Sequence, residues 1–497
     1  MTPILNISFK TPKDLDDLVG VTTIVFMDDT FRVGNRAKQL LEDVNWILVH
    51  RAATEAGFRG KVGEHMVFFA GDRRFVFVGI SDEREMIGHV DLGGHTAAAA
   101  GFAPHVLVVC ETPQSIDLPP AAVAEVALGF RLSSYSFDTY RTQKAEQQIP
   151  ERRVTMLTTD PVAAAQAYLA EAAVAEGVEL ARTLVNEPAN VLTPQEFARR
   201  ISTLTEYGLD VEIMRESDLE RLGFRALLAV GQGSAQETYV ALLRWCGAPS
   251  RDDTPLAFVG KGVCFDTGGI SIKRAAAMAD MKGDMAGAAS VVGLLLALAR
   301  RNAPINAIGA VGLVENMPDG RAQRPGDIVR SLSGQTIEVT DTDYEGRLVL
   351  ADLLWHVQAN DKPRFMVDLA TLTGAVAVAL GLDHAGLFTN DDDLADQFSR
   401  ASKATGELTW RLPLGASFDK AMNSKFADVR NIDPDYGGAS TAASFIQRFV
   451  NNVPWVHLDI SGPAQDLPES AICRSWGTGW GVRLLDRLVR NLEPTNA

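Results

Sequence analysis

Short apolar runs rich in β-branched and aromatic residues punctuate the first third of the chain: Thr22 to Met27, Met66 to Phe69, Phe75 to Val78 and Val106 to Cys110. Their length and flanking turn residues predict strands. Between them, Arg36 to Arg51 and Gly93 to Gly101 carry helical spacing, which makes this part an αβ pattern. A charge-rich segment, Arg141 to Arg153, closes it. The Ala- and Glu-rich run Pro161 to Asn186 then predicts one long helix suited to joining two domains. The expected division is an N-terminal α/β domain over 1–158, with the linking helix after it, and a C-terminal domain over 159–497 that carries the chemistry.

After Asn190 the pattern alternates. Pro255 to Gly260, Ala307 to Val314 and Phe365 to Ala370 read as strands, and Ala286 to Arg301 and Arg347 to Ala359 as helices. Repeated βα units imply a mainly parallel sheet covered by helices. The expected fold class is therefore α/β in two domains, each a mainly parallel or mixed sheet with helical cover. Such sheets build their sites at the carboxyl ends of strands, which directs attention to the residues after Gly260, Val339 and Asp368.

Composition narrows the function classes. The 497 residues are 46% hydrophobic and 22% charged, the balance of a folded protein. A formal net charge of -16 opposes non-specific binding to nucleic acid or to an anionic membrane surface. The four cysteines lack CxxC spacing, so neither a disulfide framework nor a thiolate zinc site is expected, and a reducing compartment fits. The start of the chain lacks the pattern of a signal peptide, and apolar stretches such as Leu294 to Ala299 and Ala375 to Leu380 fall short of the roughly 20 residues of a membrane span. A cytoplasmic protein is expected.

The segment from Gly260 to Gly269 places Lys261 and Asp266 in what reads as a glycine-rich loop after a strand. It is not a phosphate loop, because no G-x-x-x-x-G-K-[ST] string occurs. Lys273 follows, then Asp284 at the opening of a long helix, then Asp341 to Arg347 between a strand and a helix. Taken singly, each carboxylate is an ordinary helix-terminal or turn residue. Together, Asp266, Asp284, Asp343 and Glu345 could hold a pair of divalent cations, since hard and borderline metals take carboxylate oxygens and shared carboxylates can bridge two ions. The zinc-protease helix H-E-x-x-H and the G-x-S-x-G nucleophile elbow are both missing. Ser440 is expected to cap a helix over Thr441 to Val450.

The strings Lys261 to Lys273, Met281 to Ala289 and Thr342 to Leu350 resemble the leucyl aminopeptidase family of dinuclear metallopeptidases, also called cytosol aminopeptidases. Leu184 to Pro194, Asp368 to Gly374, Trp410 to Pro413 and His457 to Gly462 are similar to it as well, so the resemblance runs from about residue 180 to the end. It implies that Lys261, Asp266, Asp284, Asp343 and Glu345 are metal ligands for two ions, Mn²⁺ or Zn²⁺. Asp266 and Glu345 would be shared, and Asp343 would add its backbone carbonyl. A lysine ligand binds in its neutral form, so affinity for metal should fall in acid. The same resemblance makes Lys273 the cation on the substrate carbonyl and oxyanion, and Arg347 the holder of a bicarbonate that relays protons. Met281, Tyr344, Thr371, Leu372 and Gly374 match positions near the substrate, with peptides as substrates and a homohexamer as the assembly.

Two departures from the family pattern Asn-Thr-Asp-Ala-Glu-Gly-Arg stand out: Asp341 for the Asn and Tyr344 for the Ala. Both spare the ligands and bear on the substrate pocket. If strand alternation continued through this segment, Tyr344 would point away from its neighbours; the pocket-facing orientation is the one expected. The activity implied is release of unmodified N-terminal residues from peptides, with a leucine-type preference. Two rival readings are a non-catalytic DNA-binding or regulatory member of the family, against which the acidic balance argues, and a two-metal phosphoester hydrolase.

Overall fold

The computed structural model describes residues 4–15, 20–42, 44–81, 87–143, 151–250, 253–432 and 436–494. The chain divides into two compact units, Met1–Ala175 with Pro468–Ser475, and Glu176–Leu467 with Trp476–Ala497. The division falls inside the helix Pro161–Asn186.

The first unit holds a six-stranded sheet: β1 (Ile4–Lys10), β2 (Thr22–Met27), β3 (His65–Ala70), β4 (Arg73–Gly79), β5 (His105–Val109) and β6 (Glu151–Leu157), in the order β1-β6-β5-β2-β4-β3. Five strands run parallel, and β3 closes the edge antiparallel to β4. Every residue of β2 is buried, as expected of a parallel strand covered on both faces. Its alternation feeds two cores, with Ile24 and Phe26 packing with Val76, Val108 and Phe130, and Val25 and Met27 with Phe75, Phe77 and Leu107. The helix expected over Arg36 to Arg51 is two helices, Asn35–Leu40 and Trp46–Glu55, because the Asn45 side chain accepts from the Ile47 N–H at 3.0 Å and caps a fresh start. The edge strand β1 and its neighbour β6 escape the apolar-run reading because their sequences mix polar and apolar residues. Of the charge-rich segment Arg141 to Arg153, residues 144–150 lie outside the described residues.

The second unit is built on an eight-stranded mixed sheet. Its strands are β7 (Asp210–Arg215), β8 (Tyr239–Cys246), β9 (Leu256–Asp266), β10 (Asn306–Asn316), β13 (Phe365–Ala370), β14 (His384–Thr389), β15 (Leu408–Arg411) and β17 (Trp455–Asp459), ordered β15-β14-β17-β13-β9-β10-β8-β7. A small second sheet is formed by β11 (Ile328–Arg330), β12 (Thr336–Glu338) and β16 (Val429–Arg430), in that order. The centre of the large sheet, β17-β13-β9-β10, is parallel. The helix Ala286–Arg300 lies on it so closely that a Cβ on Gly287 would sit 2.1 Å from the Leu369 carbonyl oxygen. The stretch 275–300 is long and apolar enough to cross a membrane by length and composition, but 89% of its most apolar window is buried within the protein.

Two local expectations are corrected. The strand expected to end at Gly260 continues through Asp266, so Lys261 and Asp266 stand on a strand and not in a loop. Ser440 is not a cap: Gly437, at φ +67°, turns the chain into a helix over Gly438–Gln447, and Ser440 is buried within it.

Candidate metal centre

Lys261 and Asp266 lie five positions apart on β9, and in a regular strand they would face opposite sides of the sheet. The register between β9 and β10 shifts after Val263↔Val314, with Phe265 next opposite Glu315 and Cys264 left over. That extra residue resets the alternation and sends both side chains to one site. Beyond Asp266, Gly268 and Gly269 adopt left-handed φ angles of +87° and +68°, and the chain folds back until the Lys273 N–H donates to the Thr267 carbonyl at 2.9 Å.

Two lysines thread four carboxylates. Lys261 Nζ lies 2.8 Å from Asp284 Oδ1 and 2.7 Å from Glu345 Oε1, and donates to the Thr371 carbonyl at 2.9 Å. Lys273 Nζ lies 2.7 Å from Asp266 Oδ2 and also pairs with Asp343 Oδ1. A Cβ at position 346 would fall 2.6 Å from Lys261 Cδ, so any larger residue there would have to displace the lysine from its path beneath the start of the helix Gly346–Asp361. Carboxylate oxygens of Asp266, Asp343 and Glu345 lie within 4.8 Å of one another.

The surrounding hydrogen bonds fix the loops. Asn316, at the end of β10, donates from Nδ2 to Asp266 Oδ1 at 2.8 Å and to the Thr342 carbonyl at 3.0 Å. The Thr342 hydroxyl donates to the Gly268 carbonyl at 2.6 Å. Asp341 Oδ1 accepts from the Asp343 N–H at 2.9 Å, an Asx turn that a carboxylate oxygen serves. Asp284 follows the 3₁₀ turn Ala279–Gly283, which contains half-buried Met281, and accepts from the Thr371 hydroxyl at 2.7 Å. Asp459 accepts from the N–H groups of Leu372 and Thr373 at 3.2 and 3.4 Å, while Gly374 is exposed at the start of a helix.

Arg347 sits in the first turn of its helix, 1% exposed. Nη1 donates to the Asn431 carbonyl at 2.5 Å, and Nε has no hydrogen-bond partner among the described residues. The segment before it is a turn and not a strand, so alternation does not govern Tyr344. Its half-buried ring lies 5.0 Å from the Arg347 guanidinium, with Phe445 at 5.9 Å from the same group.

The electrostatics follow from burying so many charges together. Burial, reinforced by Glu345 and Asp284, raises the Asp266 carboxyl well above its ordinary range. Burial pushes Asp284 up to about 7, and Asp343 is raised for the same first reason. In Glu345 burial is outweighed by Lys261 and Lys273, and the group is held low. Burial works against the charge of both lysines, yet the carboxylates override it and raise them. Burial brings Arg347 down to about 10.

Four carboxyl groups share two ammonium groups, too few cations for all four to ionise in a buried site, and Asp284 Oδ2 and Glu345 Oε2 are buried with no hydrogen-bond partner among the described residues. A buried carboxylate oxygen is costly unless a cation meets it. The donor set therefore fits divalent cations. A parallel-centred α/β sheet with such a cluster at its strand ends fits a metal-dependent hydrolase.

Comparison with known proteins narrows that class. The profile of the cytosol aminopeptidase family, catalytic domain, matches residues 179–486. A probable cytosol aminopeptidase of Methylorubrum extorquens is 52% identical over 477 residues, covering 95% of this chain and 96% of the relative. One from Afipia carboxidovorans is 50% identical over 478 residues, 94% of each. Among solved structures, tomato leucine aminopeptidase, studied as a mutant, is similar with TM-score 0.87 and 32% identity, covering 98% of this chain and 97% of that one. The bottromycin maturation enzyme BotP in complex with Mn gives TM-score 0.84 and 35% identity, covering 95% and 99%. The chain belongs to the cytosol aminopeptidase family and is a metal-dependent aminopeptidase acting on peptides. The relatives match nearly the whole chain, so the likeness includes the first third, where sequence reading found only size and pattern.

Sequence reading missed Asn316, Asn431 and Asp459. Asp459 lies within the recognised string His457 to Gly462, and Asn316 ends a strand beside the site, which are the signals that could have found them. Nothing local marks Asn431.

Proposed function

We propose that Lys261, Asp266, Asp284, Asp343 and Glu345 hold two divalent ions, Mn²⁺ or Zn²⁺, with Asp266 and Glu345 shared. The observation that carries this reading is the approach of Asp266, Asp343 and Glu345 oxygens within 4.8 Å, with Lys261 lodged between Asp284 and Glu345. When bound, such a pair supplies Lewis acidity that activates a water and polarises the scissile carbonyl.

The chain's own residues do the rest. Lys273, the more accessible of the two lysines, exchanges its contacts to Asp266 and Asp343 for the carbonyl oxygen and stabilises the charge that develops there. Its side chain is 16% exposed against 4% for Lys261, which suits one to meet substrate and the other to stay in the cluster. Arg347 keeps Nε free for a small anion such as bicarbonate, which would move a proton at the reacting water. Met281, Tyr344, Thr371, Leu372 and Gly374 shape the space for the first residue. Met281 and Leu372 supply apolar surface for a leucine-type side chain, and the Tyr344 ring flanks Arg347. Assembly as a homohexamer and a cytoplasmic location belong to the same reading.

The test measures metal content and hydrolysis of leucyl, alanyl and phosphate-ester substrates on one sample, together with its mass by light scattering. Two ions per chain with leucyl turnover support the reading. One ion per chain overturns the dinuclear centre, phosphoester turnover alone overturns the substrate class, and a monomer overturns the hexamer.

A further inference from the structure

The small sheet β11-β12-β16 contributes no group to the cluster, yet one residue at its edge reaches the loop that supplies Asp343 and Glu345. Asn431 follows β16, and its N–H continues the parallel pairing by donating to the Glu338 carbonyl at 3.0 Å. That bond fixes where its side chain points. Oδ1 accepts from the Thr340 N–H at 2.8 Å, the Thr340 hydroxyl at 3.2 Å and the Asp341 N–H at 3.4 Å. Nδ2 donates to the Asp341 carbonyl at 2.6 Å, and the Asn431 carbonyl takes the Arg347 guanidinium at 2.5 Å. The residue is 0% exposed.

No other side-chain type fits this set. The site needs one acceptor facing two or three donors and one donor facing a carbonyl, with both groups at the end of a two-carbon side chain. An aspartate would turn an oxygen toward the Asp341 carbonyl. A leucine would leave the buried N–H groups of Thr340 and Asp341 facing hydrocarbon.

We infer that Asn431 is a positioning residue for the aminopeptidase site: it clamps the backbone at 340–341, two residues before Asp343, and with its own carbonyl anchors the Arg347 guanidinium, so that the carboxylates and the guanidinium are held in one frame. The inference rests on the assignment of Asp343 and Glu345 as ligands made above. Residues that orient metal-binding groups from behind carry effects of about 10- to 100-fold in metal affinity or activity when removed. The loop has further ties, through Asn316, the Thr342 hydroxyl and Ser271, so loss of Asn431 loosens it without releasing it.

The experiment titrates Mn²⁺ into metal-free protein by calorimetry and measures kcat and KM on a leucyl substrate at saturating Mn²⁺, for Asn431→Ala, Asn431→Asp, Thr340→Val and Glu345→Ala. Asn431→Ala is expected to weaken Mn²⁺ binding by about 10- to 100-fold and, at saturating metal, to lower kcat with KM changed less than about 3-fold. Asn431→Asp, which keeps an acceptor but loses the donor, should remain weakened, and Thr340→Val, which removes one hydroxyl contact, should lie within about 3-fold of the parent. A merely structural role would lower the unfolding midpoint of the metal-free protein and leave the Mn²⁺ affinity of the folded fraction unchanged, and that result overturns the inference. If Asn431→Ala does not fold, Mn²⁺ affinity of Asn431→Asp equal to the parent overturns it instead. Glu345→Ala separates the two levels. If it binds Mn²⁺ normally the ligand assignment itself fails, whereas if it loses binding and Asn431→Ala does not, only the role of Asn431 fails.

Discussion

The two sheets are built alike and loaded differently. In the N-terminal unit the charged residues of β4 and β5 stand at the starts of the strands, Arg73, Arg74 and His105, and the interiors are apolar. In the second unit the central strands carry Lys261, Asp266, Asp368, His457 and Asp459, all buried. Each of these meets a partner: Lys261 and Asp266 meet the cluster, His457 Nδ1 lies 2.6 Å from Asp368 Oδ1, Trp455 Nε1 donates to Asp368 at 2.7 Å, and Asp459 takes the Thr373 hydroxyl at 2.6 Å. The same architecture thus serves in one unit as a scaffold whose buried strand charge is Arg152, near the start of β6 and donating to the Gly101 carbonyl, and in the other as a frame for clustered charge that is tolerable only while paired.

The largest effect that sharpens this contrast is metal removal. Chelation should abolish aminopeptidase activity, and Mn²⁺, Zn²⁺ or Co²⁺ should restore it, because the cluster is made of oxygen and nitrogen donors. Full turnover in metal-free protein breaks the contrast outright. Next comes a charge placed where the first sheet has none: Ile24→Lys, fully buried among Phe26, Val76 and Val108, should cost several kcal/mol and unfold the N-terminal unit, since nothing there offsets an ammonium group. Limited proteolysis reads the outcome, and a resistant unit would show that the first sheet accepts charge as the second does.

Smaller effects test how the charges are used. Lys273→Ala should lower kcat by about 10²-fold, the loss of one preorganised donor, with metal content unchanged by elemental analysis. Metal loss in that variant would make the residue a ligand. The smallest effect is in the helix behind the cluster, where buried Asp352 accepts from the Leu332 and Leu227 N–H groups at 2.7 and 3.0 Å, with no ion pair among the described residues. Burial raises it from 3.8 to about 7. The folded chain then keeps a proton that the unfolded chain releases, so this contribution to stability is full below about pH 4 and is lost as pH rises through about 7. Asp352→Asn should flatten that slope and cost about 1–3 kcal/mol, because one N–H is left without an acceptor. Unfolding midpoints of both proteins at about pH 5 and about pH 8 decide it, and an undiminished slope in the variant places its origin elsewhere.

Much of this was legible in the chain. Strands β2 and β13 and the helices Pro161–Asn186 and Ala286–Arg300 follow from apolar runs and helix-forming composition, because buried strands and long apolar or Ala-rich helices are local patterns. The four carboxylates of the cluster were legible as a group at the ends of elements, although each taken singly reads as a turn or a helix start, while the place of the two lysines among them was legible through resemblance alone. The small sheet β11-β12-β16 was not legible, because strands of two or three residues leave too short a pattern.

What the sequence by itself determined is the composition of the site: which donors exist, that no thiolate or zinc-protease helix competes with them, and that the surrounding strands are apolar enough to bury them. What only the tertiary structure decided is how they meet. The leftover Cys264 turns Lys261 and Asp266 to one side, Gly346 opens the passage for the lysine, and Tyr344 comes to rest on Arg347 because its segment is a turn. Asn431 reaches Asp341 across 90 residues of chain. These depend on register, close approach and long-range pairing, which are properties of packed backbone and leave no period in the sequence.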